Sequence, residues 1–136
     1  MGLYLCVFQD DDELDGVDVG SYGDFNRFRS IVQEHEHCLP GSSCPALLHQ
    51  HDSDGEWTTD QCAKLEKELQ AIAQAFRASP PIEFESDWQR EVARQLRLQP
   101  QDLYESFIDV DGEPLIERLL VLCRLAHERG LSILFQ

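Results

Sequence analysis

The pattern of apolar and polar positions divides the chain into short, well-punctuated elements. Residues 2–9, GLYLCVFQ, are apolar, too few for a helix and followed by acids, which predicts a buried strand. Asp10 to Gly16 reads as an acidic loop. Val17 and Val19 alternate with Asp18, predicting a short edge strand. Ser21 is placed to cap a helix with Asp24 in its first turn, where the helix dipole favours an anion. Phe25, Phe28, Ile31 and Val32 give that helix one apolar stripe, and it should end near Glu36. HEHCLPGSSCP is a loop turned at Pro40-Gly41. Pro45 to His49 is expected to form a second short strand.

The second half is more strongly helical. Thr58 or Thr59 caps the longest helix, with Gln61 placed for a capping box from Thr58. Cys62, Leu65, Leu69, Ile72 and Phe76 mark its inner face, and Ser79-Pro80-Pro81 stops it. After the extended piece IEFE, Ser86 opens another helix with Trp88, Val92 and Leu96 on one side, closed by Pro100. Phe107 to Val110 reads either as a strand or as the end of a helical turn. Pro114 suits the first position of a last helix, and Gly130 suits its stop. LSILFQ is a strand that must be tied into the sheet, since an apolar edge would be sticky. The order of elements predicts an α/β fold bordering on α+β. It has one small mixed sheet of three to five strands, including the N- and C-terminal strands, with about four helices packed on it. The length suits a single domain over residues 1–136. The first strand–helix–strand passage should be parallel and right-handed.

Charge changes the picture most. Eleven Lys and Arg stand against 26 Asp and Glu, a net charge of −15. Such a surface repels nucleic acid and anionic membranes, so neither is an expected partner, and it attracts basic proteins. A plain solubility role for the acids is the competing explanation. No apolar run approaches the roughly twenty residues of a membrane span. The first residues lack the basic start and long apolar stretch of a leader, so a cytoplasmic protein is expected. The five cysteines, with no CxxC, fit a reducing compartment and use as small hydrophobes.

Catalytic signatures are lacking: there is no GxSxG, P-loop or HExxH. No enzyme activity and no cofactor are expected. The arginine row Arg90, Arg94, Arg97 reads as a solvated helix face. Two stretches invite a metal reading. Asp-x-Asp-Gly-Glu occurs at 52–56 and again at 109–113. A calcium loop needs acids at positions one, three, five and twelve around glycine at six. With Gly55 at six, positions one and twelve are Gln50 and Gln61; with Gly112 at six, they are Phe107 and Arg118. Both fail, and a strand-to-helix turn used twice explains them better. Trp57 beside the first turn belongs to the core or its rim, with an interface anchor as the lesser alternative. His35, His37, Cys38, Cys44, His49 and His51 cluster in the sequence as candidate zinc ligands, though in no established spacing.

Several pieces in order, MGLYLCVF, LDGVDVGSYGDFNRFR, DGEW, FIDVDGEPLIERLLVLCRLA and the terminal ILFQ, carry a resemblance over nearly the full length. The chain resembles the immunity proteins of bacterial polymorphic toxin systems, specifically immunity protein 70. The resemblance implies a small cytoplasmic inhibitor that binds the C-terminal domain of a cognate toxin. It brings no binding residues with it. Many such toxins are nucleases with basic clefts, and an acidic inhibitor can occupy a basic cleft as phosphates do. Candidate toxin-binding residues are therefore Asp10, Asp11, Asp12, Glu13 and Asp15, then Asp52, Asp54, Glu56 and Trp57. Asp109 and Asp111 join them if the second acidic turn lies on the same sheet edge. The alternative is a metal-binding regulatory protein, with zinc or calcium and without catalysis.

Overall fold

The computed structural model describes residues 2–35, 44–48 and 55–136. Strand β1 (Gly2–Gln9) turns through Asp10-Asp11 into β2 (Asp12–Ser21). Asp10 takes the left-handed conformation at φ 58°, which aspartate tolerates better than most residues. The pairing is antiparallel, with Leu5 opposite Val17 and Val7 opposite Asp15. A bulge follows, so that Phe8 faces Glu13. The expected acidic loop is thus a two-residue turn, and residues 12–16 already belong to the strand. Their backbones pair with β1, and an edge strand accommodates charged side chains readily.

Helix α1 (Tyr22–Glu34) begins as expected, with Ser21 and Asp24 forming a reciprocal capping box. The Ser21 N–H donates to the Asp24 carboxylate at 2.9 Å, and the Asp24 N–H donates to the Ser21 hydroxyl at 3.1 Å. Pro45–Leu48 is a short helix, α2, and not the expected strand. The reason lies far along the chain. On helix α3 (Thr59–Arg77), the Glu68 carboxylate accepts from the N–H groups of Ala46 and Leu47, both at 3.0 Å. It thereby satisfies two donors that would otherwise be orphans at a helix start. Thr58 and Gln61 box the start of α3 as the sequence predicts.

Strand β3 (Glu56–Trp57) and β4 (Ile133–Phe135) complete a four-stranded sheet of order β2-β1-β4-β3. Every pairing is antiparallel, so the expected parallel first passage does not occur. The chain returns directly through a hairpin, which needs no crossover. The expected small α/β fold, its N- and C-terminal strands paired, is otherwise present.

Helix α4 (Asp87–Leu96) and helix α5 (Leu115–Arg129) finish the helical layer. A single turn of 3₁₀ helix, Tyr104–Ser106, precedes an isolated bridge between Ile108 and Pro114. Gly130 ends α5 in the left-handed conformation at φ 67°. The core joins Leu3, Leu5 and Val7 of β1 to Phe25 and Phe28, to Leu65, Leu69, Ile72 and Phe76, and to Ile116, Leu119 and Leu122. Phe28, Phe76 and Phe107 form an aromatic triangle with centroids 5.1–6.3 Å apart, two pairs edge-to-face and the Phe76–Phe107 pair stacked, within the range in which aromatic pairs attract. Among the described residues no helix is long and apolar enough to cross a membrane.

Candidate interaction surface

The sheet has two unlike faces. Leu3, Leu5 and Val7 alternate inward and belong to the core. Tyr4, Cys6 and Phe8 alternate to the other side, and none of them packs into that core. The register extends this outer face across the strands. Gly16 and Leu134 flank Cys6, Glu56 flanks Leu134, Asp18 flanks Tyr4 and Glu13 flanks Phe8. The result is an apolar strip of Tyr4, Cys6, Phe8 and Leu134, with carboxylates toward both sheet edges. Tyr4, Phe8 and Leu134 are partly exposed, while Cys6 between them is covered.

Tyr4 is held in a defined place. A Cβ built on Gly16 would stand 2.0 Å from the Tyr4 hydroxyl oxygen and 2.3 Å from Cζ, so the phenol occupies the space a side chain at 16 would take. Burial, then the neighbouring Glu13 carboxylate, raise the Tyr4 pKa above its ordinary value. Burial, with Glu13 adding to it, pushes the Cys6 thiol up to about 11. Burial does the same for Cys62, also to about 11, and raises Cys123 further. These thiols stay protonated at neutral pH and are poor nucleophiles.

The candidate acids separate into groups. Asp10, Asp11, Asp12 and Glu13 are exposed at the β1–β2 hairpin tip, and among the described residues no salt bridge engages them. Asp15 turns inward and faces Arg118 of α5, 3.5 Å away, so it does not join the exposed group. Its place opposite Val7 puts it on the helical side of the sheet. Asp52 and Asp54 lie outside the described residues. Glu56 sits on β3, at the far edge of the sheet from β2. Trp57 is fully buried, its indole N–H donating to the Ala46 carbonyl at 2.8 Å and its ring 4.8 Å from that of Phe135. It is therefore a core residue and not a surface anchor.

The second acidic turn does reach the β2 edge, where the Val110 N–H donates to the Asp18 carbonyl at 3.0 Å. Asp111 is exposed there. Asp109 is not available to a partner, being only 1% exposed. Its carboxylate accepts from the N–H groups of Asp111 and Glu113 at 3.0 and 2.9 Å. Arg118 Nε stands 3.3 Å from its other oxygen, an ion pair whose geometry falls short of a hydrogen bond. Burial raises the Asp109 pKa, against the opposing pull of those two N–H groups and of Arg118. Arg118 also donates to the Gly16 carbonyl at 2.8 Å, and so ties the turn to β2.

Of the candidate zinc ligands, His37, Cys38, His49 and His51 lie outside the described residues. His35 lies against the Phe76 ring with its Nδ1 3.0 Å from the Ile31 carbonyl, and Cys44 is buried in the core. Among the described residues no three His, Cys, Asp or Glu converge as a metal site. The sequence pointed to the hairpin acids but missed Tyr4, Phe8, Asp18 and Leu134. The available signal was the pair of aromatics at even positions of β1, sharing one strand face.

Residues 3–135 match the family model described as immunity protein 70. No curated protein and no solved structure matches the chain.

Proposed function

The chain belongs to the immunity protein 70 family and so has a toxin-immunity role, and from that premise we propose how it acts. It binds the C-terminal domain of its cognate toxin in the cytoplasm and inhibits it by contact, without catalysis of its own. The contact is electrostatic in origin. The acidic hairpin tip meets a basic region of the toxin, consistent with a nuclease whose cleft is built to hold phosphates.

One observation carries this reading: the crowding of four exposed acids at one hairpin tip. Glu66, Glu85, Asp87 and Glu91 are each paired with an arginine. Asp10 to Glu13 form four successive exposed acids outside any salt bridge of the described residues. Their mutual repulsion costs stability, and a cationic partner relieves it.

The test is protection of cells expressing the cognate toxin domain, together with binding to that domain at several salt concentrations. The quadruple change of Asp10, Asp11, Asp12 and Glu13 to Lys should weaken binding by about a hundredfold or more, as expected when several close charge pairs become repulsive. It should also flatten the salt dependence. Unchanged binding by a folded variant would remove the hairpin from the interface.

A further inference from the structure

The proposed function leaves the apolar strip beside the hairpin tip without a role. Tyr4, Phe8 and Leu134 stand outside the hydrophobic core, on a sheet face where the register places Glu13 and Asp18 along one side. Tyr4 lies over Gly16, and the Glu13 carboxylate is next to its hydroxyl. An aromatic ring with a carboxylate at its end and a glycine beneath it offers a stacking platform joined to an anion. An arginine fits both parts, since its planar guanidinium stacks on aromatic faces and forks onto carboxylates. Lysine, a strongly hydrated point charge, matches only the anion.

We propose that this outer sheet face is a docking surface for an arginine-bearing protein surface. One arginine stacks on Tyr4 with its guanidinium on Glu13, and further cations lie over Asp18 and the hairpin tip. The inference rests on the immunity reading for the identity of the partner, which is then the toxin domain. The charge of the face selects against a second copy of this chain, whose net charge is also −15.

Octa-arginine and octa-lysine peptides, titrated into the full chain and followed by backbone amide NMR, test the chemistry of the face directly. Octa-arginine should bind about two- to fivefold tighter at equal salt, the span of an exposed cation–π contact. Its shifts should centre on residues 4, 8, 13, 16 and 134. Tyr4→Ala should remove the arginine advantage, and so should Glu13→Gln, a solvent-exposed change that leaves the strand intact. Equal binding of the two peptides, or shifts confined to residues 10–12, overturns the proposal. The outcomes separate from the immunity reading. A chain that protects cells but binds both peptides equally loses this inference alone. A chain that prefers arginine but fails to protect loses the toxin assignment alone.

Discussion

Two acidic turns of similar composition are used in opposite ways. Asp10 to Glu13 lie exposed at a hairpin tip, outside any salt bridge of the described residues. Asp109, in the second turn, is buried against Arg118 and two backbone N–H groups. Acidity alone does not separate them, since DDDE at 10–13 and DVDGE at 109–113 are both rich in carboxylates. The difference comes from what packs against each. The hairpin tip projects beyond the sheet, whereas the second turn is pressed onto β2 by Arg118 and by the Val110–Asp18 hydrogen bond. A carboxylate built into the fold supports stability. One left in solvent is free to serve binding.

The comparison can be broken most severely at Asp109. Asp109→Ala leaves Arg118 half-compensated and two turn N–H groups without an acceptor. A loss of about 3 kcal/mol is expected, at the low end for a broken buried pair because Arg118 keeps Asp15 and partial solvent access. The midpoint of urea unfolding measures it, and a loss below about 1 kcal/mol would show that the turn is not anchored there.

Asp24 comes next. Burial pulls its pKa upward, but the Ser86 hydroxyl, the Ser21 N–H, the Trp88 indole at 2.9 Å and the Ser21 hydroxyl outweigh this and lower it. These bonds tie the start of α1 to the start of α4. Asp24→Asn should cost about 2 kcal/mol, the range of bonds to a charged acceptor. The pH dependence sharpens the contrast between Asp24 and Asp109. The Asp24 contribution is present above the ordinary carboxylate pKa of about 3.9 and is lost as pH falls through its lower folded value. Asp109 has a raised folded pKa, so its titration favours the fold below its ordinary value and withdraws that support as pH rises through the folded value. Stability differences between wild type and the variants Asp24→Asn and Asp109→Asn should therefore slope in opposite directions with pH. Parallel slopes would refute the assignment of these two environments.

The turn glycines give a smaller effect. Gly55 and Gly112 both have positive φ, 74° and 84°. Among the described residues a Cβ on Gly55 meets nothing within 4 Å, whereas one on Gly112 meets Leu96 Cδ1 at 2.3 Å. Gly55→Ala should cost about 1 kcal/mol from backbone strain alone. Gly112→Ala should cost somewhat more, since Leu96 must also move. Equal thermal shifts would mean that Leu96 yields freely. The smallest effect belongs to the hairpin tip, where Asp11→Asn or Asp12→Asn should change stability by no more than about 0.5 kcal/mol. A larger loss there would mean that the tip has a structural role.

Elements with local punctuation were legible from the sequence. The Thr58–Gln61 box, the Ser21 cap, the Gly130 stop and the apolar runs at both ends of the chain each carry their signal within a few residues. What escaped depends on distant partners. Helix α2 reads as a strand until Glu68, more than twenty residues away, supplies its N-terminal acceptors. The length of β2 was hidden because acids suit an edge strand as well as a loop. The hairpin acids of the candidate site were visible as charge and Trp57 read first as a core residue, but the fate of Asp15 and Asp109 was not legible, since burial and ion pairing are decided by packing. The outer strip was missed because β1 is apolar on both faces, and a strand of that kind reads as wholly buried.

The place of β4 carries a consequence for assembly. It lies between β1 and β3, so the middle of the sheet is supplied by residues 133–135, while the β1–β2 hairpin closes over a two-residue turn. The hairpin can form early from neighbours in sequence. The sheet as a whole must await a contact between residues separated by nearly the whole length of the chain, which is slow to find. Until then β1 and β3 each present an unpaired edge in the gap that β4 will fill. A chain shortened by its last strand would keep both edges open, and its failure would be self-association through β-pairing rather than simple loss of helices.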